Sequence, residues 1–126
     1  MARAEKKMLA VDYGASSGRG IIGGFDGKKF TLNEIHRFSN DPVMMPGGFY
    51  WDTIRLLFEL KNSILKASLE GGVDTVGIDT WGVDYGYLDK AGTLISNPYH
   101  YRDTRTENIT DYFSKKHFPI SELYKT

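Results

Sequence analysis

Residues 9–20 read Leu9-Ala10-Val11-Asp12-Tyr13-Gly14-Ala15-Ser16-Ser17-Gly18-Arg19-Gly20. An apolar run ends at the aspartate, small residues follow it, and a second apolar run begins at Ile21. This pattern predicts a strand, a tight turn and another strand. Small side chains leave backbone N–H groups uncovered, and successive uncovered N–H groups form an anion-binding concavity. The hairpin is therefore predicted to hold nucleotide phosphates, with Asp12 suited to a magnesium ion that neutralises their charge.

Two better-known phosphate motifs do not fit this stretch. A P-loop requires a glycine five residues after Gly14, where the chain has Arg19. The dinucleotide-binding pattern G-x-G-x-x-G requires a glycine at Ser16 and then a helix, whereas residues 19–24 are glycine-rich and favour a strand. Because neither motif fits, we interpret this stretch as a phosphate-binding β-hairpin.

Composition limits the class of protein. The chain has 126 residues, of which 40% are hydrophobic and 25% charged, which is typical of one globular domain or a piece of one. A formal net charge of zero without a dense basic cluster argues against nucleic acid or a membrane surface as the main partner. The absence of cysteine excludes disulfides and cysteine-ligated zinc. The first seven residues do not resemble an export signal and no transmembrane span is expected, so the cytoplasm is the expected location.

The rest of the chain reads as alternating strands and helices. A third strand is expected from Phe30 to Phe38, followed by a loop from Ser39 to about Tyr50. Asp52 is expected to cap a helix that ends at Gly71-Gly72. Its predicted buried stripe has apolar residues at spacings of three and four: Ile54, Leu57, Leu60, Ile64 and Ala67.

Further elements are predicted beyond that helix. Strands are expected at Val73–Asp79 and Tyr85–Leu88. Thr104-Arg105-Thr106-Glu107 has the pattern of a capping box that opens a helix through about Lys116.

These elements predict an α/β domain with a mixed sheet. The strand ending at Asp79 needs the preceding helix as its crossover, so it should pair parallel to an earlier strand. Asp12 and Asp79 would then reach the same sheet edge, beyond the carboxyl ends of the strands, where ligands bind in such sheets.

Two later segments carry polar chemistry. Gly77-Ile78-Asp79-Thr80-Trp81-Gly82-Val83-Asp84 combines carboxylates, a hydroxyl, an indole and glycines, a mixture that suits a polyhydroxylated ligand. Tyr99-His100-Tyr101-Arg102-Asp103-Thr104-Arg105 adds two guanidinium groups and a carboxylate. On sequence alone, Trp81 is expected to pack in the fold rather than cover a sugar, and Trp51-Asp52 to form a structural helix entrance.

With these segments in order, the chain resembles the amino-terminal part of the FGGY-family carbohydrate kinases. The resemblance covers nearly the whole chain after Lys7, and segment 77–84 points to the branch that phosphorylates L-rhamnulose. The residues that carry it are 11–19, Glu34-Ile35-His36-Arg37-Phe38, Trp51-Asp52, 77–84 and Tyr101-Arg102-Asp103-Thr104-Arg105.

The resemblance implies a two-lobed ATP-dependent kinase whose lobes have ribonuclease-H-like cores of the actin and hexokinase type. Residues 1–126 would form part of the first, sugar-binding lobe, and the second lobe would lie outside this chain. Implied ATP contacts are Gly14, Ala15, Ser16, Ser17, Gly18 and Arg19, with Asp12 beside Mg²⁺. Implied ketose contacts are Gly82, Asp84, Arg102 and Asp103.

The resemblance also implies what the chain lacks. The catalytic base of the family is an aspartate expected beyond Thr126, so no catalytic residue is assigned here and these residues alone are expected to be inactive. An apolar surface made for the missing lobe would favour a homodimer.

Two other classes of function stay open on the sequence. A non-catalytic relative that senses sugar or serves as an ATPase-fold scaffold would keep the fold without the chemistry. A hydrolase that pairs Asp79 with Asp84 is disfavoured, because both lie on one turn and the phosphate hairpin would have no role.

Overall fold

The computed structural model describes residues 6–117, 119–123 and 125. Residues 1–5, which contain most of the leader segment considered above, lie outside the described residues. The elements in chain order are β1 (Lys6–Tyr13), β2 (Ser17–Phe25), β3 (Phe30–Ser39), β4 (Val43–Met45), β5 (Gly48–Tyr50), α1 (Thr53–Leu69), β6 (Thr75–Asp79), a 3-10 turn (Thr104–Thr106), α2 (Ile109–Lys116) and α3 (Ile120–Leu123).

The main sheet has four strands in the order β3-β2-β1-β6. Strands β1, β2 and β3 form an antiparallel meander, whereas β6 pairs parallel to β1. The parallel pairing follows from the connection, because α1 carries the chain back to the end of the sheet at which β1 begins. The predicted meander, crossover helix and parallel return strand are all confirmed.

Helix α1 begins where the sequence predicts, because the Asp52 side chain accepts a hydrogen bond of 3.0 Å from the Arg55 N–H. It is followed by Gly71 and Gly72, whose φ values of 93° and 81° suit the expected glycine stop. Among the described part of the chain, no helix is long and apolar enough to cross a bilayer.

The buried stripe of α1 differs from the predicted one. The helix buries Glu59, Ser63 and Ala67, while Ile54 is 78% exposed and Leu57 is 52% exposed. The glycines of β2 explain the difference: a Cβ at Gly20 would lie 2.9 Å from Ser63 Oγ, so the helix packs too closely for larger side chains there.

The core lies between α1 and one face of the sheet. Its buried residues are Leu9, Val11, Tyr13, Ile22, Phe38 and Ala67. The Tyr13 hydroxyl donates a 2.6 Å hydrogen bond to the Leu56 carbonyl and so ties β1 to the helix. Because side chains alternate along a strand, Asp12 lies on the face opposite to Val11 and Tyr13, away from α1.

Three local predictions are wrong. The predicted loop 39–50 contains the hairpin β4–β5. The predicted strand Tyr85–Leu88 is reduced to one bridge between Leu88 and Leu94. The expected helix from Thr104 begins instead at Ile109, because Asn108 adopts a left-handed conformation with a φ of 59° that separates it from the short 3-10 turn.

Candidate functional site

Two aspartates meet at one edge of the sheet, as the sequence predicts. Asp12 and Asp79 occupy the same register on the parallel strands β1 and β6. Residues directly opposite one another project from the same face, so both carboxylates lie on the face away from α1. Turn 14–16 follows β1 and segment 80–86 follows β6, so both predicted ligand regions begin from this edge.

The turn after β1 is held by a residue outside the predicted site. Asn40 is buried; its backbone N–H donates to the Ser16 carbonyl (3.0 Å) and its side-chain amide donates to the Gly14 carbonyl (2.8 Å). The Gly14 N–H also donates to the Ser17 carbonyl (3.0 Å). Among the described residues, none accepts from the backbone N–H groups of Ala15 and Ser16, both of which are exposed. The tip of the turn thus presents two exposed backbone N–H groups that have no described acceptor.

Two glycines of this turn are required by the fold itself. A Cβ at Gly14 would lie 2.6 Å from the Ser17 carbonyl oxygen, and one at Gly18 would overlap the Phe38 ring. Neither residue has a positive φ. Close packing of the chain against itself therefore explains these glycines, whether or not a ligand binds at the turn.

Asp12 is paired with Arg19 across the hairpin. Arg19 Nε lies 3.3 Å from Asp12 Oδ2, and both side chains are partly exposed. Within the part of the chain that the structure describes, no cluster of three or more acidic or histidine side chains is suited to a metal ion. A single carboxylate is the share that a protein usually contributes to magnesium at nucleotide sites, where phosphate oxygens and water supply the other ligands.

Segment 80–86 presents Gly82 to open space. A Cβ added at Gly82 would have no neighbour within 4 Å, and the residue has no positive φ. Neither packing nor backbone geometry requires glycine at this position. Asp79 accepts a hydrogen bond from the adjacent Thr80 N–H (3.0 Å), a local contact.

Asp84 is held by a buried aromatic stack. The Trp51 indole N–H donates a short hydrogen bond to Asp84 Oδ2, and Trp51 is 1% exposed. Ring centroids are separated by 3.9 Å between Trp51 and Trp81, and by 4.2 Å between Trp51 and His100. His100 stacks in turn on Tyr101 at 4.3 Å. The expected packing role of Trp81 is confirmed, whereas the role of Trp51 as a partner of Asp84 was missed.

His100 is buried and neutral in this stack. Burial lowers the pKa of its imidazole below the usual 6.5, although the nearby Asp84 carboxylate acts in the opposite direction. The Arg102 backbone N–H donates to His100 Nδ1 (2.9 Å), so the ring proton lies on Nε2. The sequence offered one signal for this role, since His100 lies within the aromatic run that begins at Tyr99.

Asp103 is engaged by the fold. It is buried, and its carboxylate accepts hydrogen bonds from the Phe49 N–H (2.6 Å) and the Arg105 N–H (2.9 Å). These two backbone hydrogen bonds lower the pKa of the Asp103 carboxyl. Its described contacts thus join β5 to the 3-10 turn, while the neighbouring Arg102 is exposed with its guanidinium 5.2 Å from the centroid of the Tyr101 ring.

The structure brings Asp84 and the 99–105 segment together around a cavity of about 210 Å³. The cavity is lined by Val83, Asp84, Tyr85, Tyr99, His100, Tyr101, Arg105 and Thr106. Of the four residues predicted to contact a ketose, only Asp84 lines it, since Gly82, Arg102 and Asp103 lie outside this lining.

Solved structures that match this fold include two sugar kinases. Gluconate kinase from Lactobacillus acidophilus matches with a TM-score of 0.75 over 97% of this chain and 25% of that protein, at 14% identity. The ligand-bound xylulose kinase of the same organism matches with a TM-score of 0.74 over 95% of this chain and 24% of that protein, also at 14% identity. At such identities the likeness establishes the fold alone, and the predicted actin- and hexokinase-type fold is confirmed.

The sequence relatives are more specific. The chain is 45% identical over 105 residues to a rhamnulokinase of Halalkalibacterium halodurans, covering 82% of this chain and 22% of the relative. It is 38% identical over 121 residues to a rhamnulokinase of Bacteroides thetaiotaomicron, covering 95% of this chain and 25% of the relative. No family model matches the chain. The chain is thus homologous to one segment of the rhamnulokinases, and it spans about a quarter of the length of the curated relatives it matches.

Proposed function

We propose that this chain provides the phosphate hairpin and part of the sugar site of a kinase that transfers the γ-phosphoryl group of ATP to L-rhamnulose, forming L-rhamnulose 1-phosphate. The observation that carries the proposal is the shared register of Asp12 and Asp79, because it starts the phosphate turn and segment 80–86 from the same sheet edge. Identity to rhamnulokinases over most of the chain supports the choice of ketose.

The phosphate side of the proposed site rests on backbone groups. The N–H groups of Ala15 and Ser16 would donate to phosphate oxygens, with Ser17, Gly18 and Arg19 completing the contacts along β2. Asp12 would hold Mg²⁺ through water, and this ion, when bound, supplies neutralising charge at the transferring phosphoryl group. Asn40 would keep the turn in the conformation that exposes these amides.

The sugar side rests on an open backbone and a fixed carboxylate. Gly82 would let the ketose approach the main chain, and Asp84 would accept hydrogen bonds from its hydroxyls. Arg102 and Asp103 are proposed to act nearby, with Asp103 mainly holding the 3-10 turn in place through its two backbone partners.

We propose that the general base lies outside residues 1–126. Asp84 and Asp103 are already engaged by the fold, and Asp12 is paired with Arg19 and assigned to the metal. Residues 1–126 alone are therefore proposed not to transfer phosphate at a useful rate, because in-line transfer needs both substrates held by a complete site.

Apolar residues that are exposed on α1 and β6 are suited to contact with another polypeptide surface. Leu57, Phe58 and Leu65 of the helix and Ile78 of β6 are each more than half exposed. Such a surface favours association, and we propose that further polypeptide or a second copy of the chain covers it in a cytoplasmic protein. Sedimentation of the protein at its natural length separates these outcomes, since a homodimer doubles the mass.

The direct test uses the protein expressed at its natural length from the reading frame that contains this chain. ADP release is measured with ATP and L-rhamnulose, and with D-xylulose and L-fuculose as competing ketoses. Preferential turnover of L-rhamnulose is expected. Binding of sugar and nucleotide by calorimetry without turnover would instead support the non-catalytic relative, and failure to bind either would contradict the proposal.

A further inference from the structure

The segment that carries Gly82 and Asp84 lacks backbone support. Among the described residues, no backbone group of residues 81–86 takes part in a hydrogen bond with another backbone group. The segment follows β6, an exposed strand at the edge of the sheet. Its conformation must therefore be fixed by side chains, since a loop without backbone hydrogen bonds or packing opens readily.

Two side chains of the segment, Trp81 and Asp84, contact Trp51, while Trp81 also packs against the core and Tyr85 contacts Tyr87. The Trp81 ring stacks on the Trp51 ring with centroids 3.9 Å apart, and Asp84 accepts the Trp51 indole N–H. Trp51 is itself fixed, because its backbone N–H donates to the Pro98 carbonyl (3.0 Å) and its ring also packs on the buried His100 and on Tyr101. It also directly precedes Asp52, the residue that caps α1.

We propose that Trp51 is a positioning residue that orients Asp84 toward the ketose through its indole N–H. This inference rests on the proposed function, in which Asp84 contacts the sugar. Asp84 lies between the 210 Å³ cavity and a second cavity of about 190 Å³ that Trp51, Trp81 and Thr80 help to line. With Oδ2 occupied by the indole, Oδ1 is left as the oxygen for a hydroxyl of the ligand.

The kinetic test compares W51F with the wild type at natural length. Phenylalanine keeps an aromatic ring in the stack and removes the N–H donor. Loss of one hydrogen bond to a charged group corresponds to roughly a tenfold effect, so the KM for the ketose should rise about tenfold. The KM for ATP should not change, and the W51F/D84A double variant should be no worse than D84A. An unchanged KM for the ketose in W51F, or additive effects in the double variant, would overturn the proposal.

A second measurement does not depend on turnover. Chymotryptic cleavage within 80–88, a segment that contains Trp81 and Tyr85, should accelerate in W51F and in D84A by the same factor, with no further increase in the double variant. D84N, which retains an oxygen acceptor for the indole, should stay close to wild type even if W51F fails to fold. Hydrogen exchange within the hydrogen-bonded helix α1 reports whether the fold is intact. If no variant changes the rate of cleavage within 80–88, the anchoring role is wrong. If the wild type fails to phosphorylate ketoses, the proposed function fails, and the cleavage rates alone decide whether Trp51 anchors the segment.

Discussion

Arg19 Nε lies 3.3 Å from Asp12 Oδ2 across the first hairpin, and the same register continues to Arg37 on β3. With Asp79 on β6, one row of charged residues crosses all four strands on the face away from α1. The row changes from acidic to basic between β1 and β2. Its acidic half suits a cation and its basic half suits phosphate, so the two charges of a magnesium nucleotide would meet complementary partners.

The first prediction concerns Asp12. Replacing it by Ala or Asn removes the charge proposed to hold Mg²⁺, so turnover should fall by roughly 100-fold, the scale of one lost electrostatic contact to a transferring group. D12N retains an oxygen opposite Arg19 and should preserve the thermal midpoint. Kinetics with L-rhamnulose and ATP at natural length provide the measurement.

The control for this prediction is D111A, which removes an exposed carboxylate on α2. Turnover in D111A should equal that of the wild type. If D12N turns over substrate at a near-normal rate, the Asp12 charge only pairs with Arg19 in the hairpin and does not hold the metal ion.

The second prediction contrasts the effects of alanine substitution at two glycines, Gly18 and Gly82. In G18A the new methyl group would overlap the Phe38 ring and approach the Asp12 carbonyl to 2.9 Å, so overpacking should destabilise the fold by about 1–3 kcal/mol. In G82A the methyl group meets nothing within 4 Å, so stability should change by less than about 0.5 kcal/mol. Denaturant unfolding measures both.

The same pair of variants tests the ligand assignment. G82A should raise the KM for the ketose because the added methyl group blocks approach to the backbone. If G82A has wild-type kinetics, Gly82 does not face the substrate.

The parts of the fold that the sequence predicted are those set by local pattern. The strand patterns of β1, β2, β3 and β6, the Asp52 cap and the Gly71-Gly72 stop depend on neighbouring residues. All of these are confirmed, whereas the strand predicted at Tyr85–Leu88 is not. Strand β6 was predicted parallel because a helical crossover leaves few alternatives.

The start of α2 was missed for a local reason, the left-handed conformation of Asn108, but the other main misses depend on contacts between distant residues. Trp51 and Asp84 are 33 positions apart, and no periodicity relates them. The buried face of α1 could not be derived from its apolar residues, because the glycines of β2 decide how closely the helix approaches. In the site, the turn was predictable from its small residues, whereas Asn40 supports it from a loop 26 positions away from Gly14.

The third prediction concerns Glu59, a carboxylate on the buried face of α1 that is only 3% exposed. Burial by itself raises its pKa, but hydrogen bonds from His36, Arg55 and Asn62 together lower it below 4.5. A carboxyl with a lowered pKa in the folded state stabilises the fold above its unfolded pKa, and this contribution is lost as the pH falls through the folded value. Wild type should therefore lose stability below about pH 4.5 more steeply than E59Q.

At neutral pH, E59Q should itself be less stable by about 1–3 kcal/mol, because buried partners lose a charged acceptor. Lys66 Nζ lies 2.8 Å from His36 Nδ1; since an ammonium can only donate, His36 Nε2 carries the proton given to Glu59. Thermal midpoints between pH 3 and pH 7 test both effects, and equal slopes for the two proteins would contradict the role of Glu59.

The fourth prediction concerns His100, whose pKa burial lowers from 6.5. The unfolded chain takes up a proton near pH 6.5, whereas the folded protein does so only at lower pH, so the unfolded state binds more protons in that window. Stability should therefore decrease as the pH falls below 6.5, and H100F, which keeps a ring between Trp51 and Tyr101, should remove this part of the slope. The unfolding free energy of the wild type minus that of H100F, measured from pH 8 to pH 5, should decrease as the pH falls. A constant difference would mean that His100 titrates alike in both states and that its burial in the stack has no electrostatic cost.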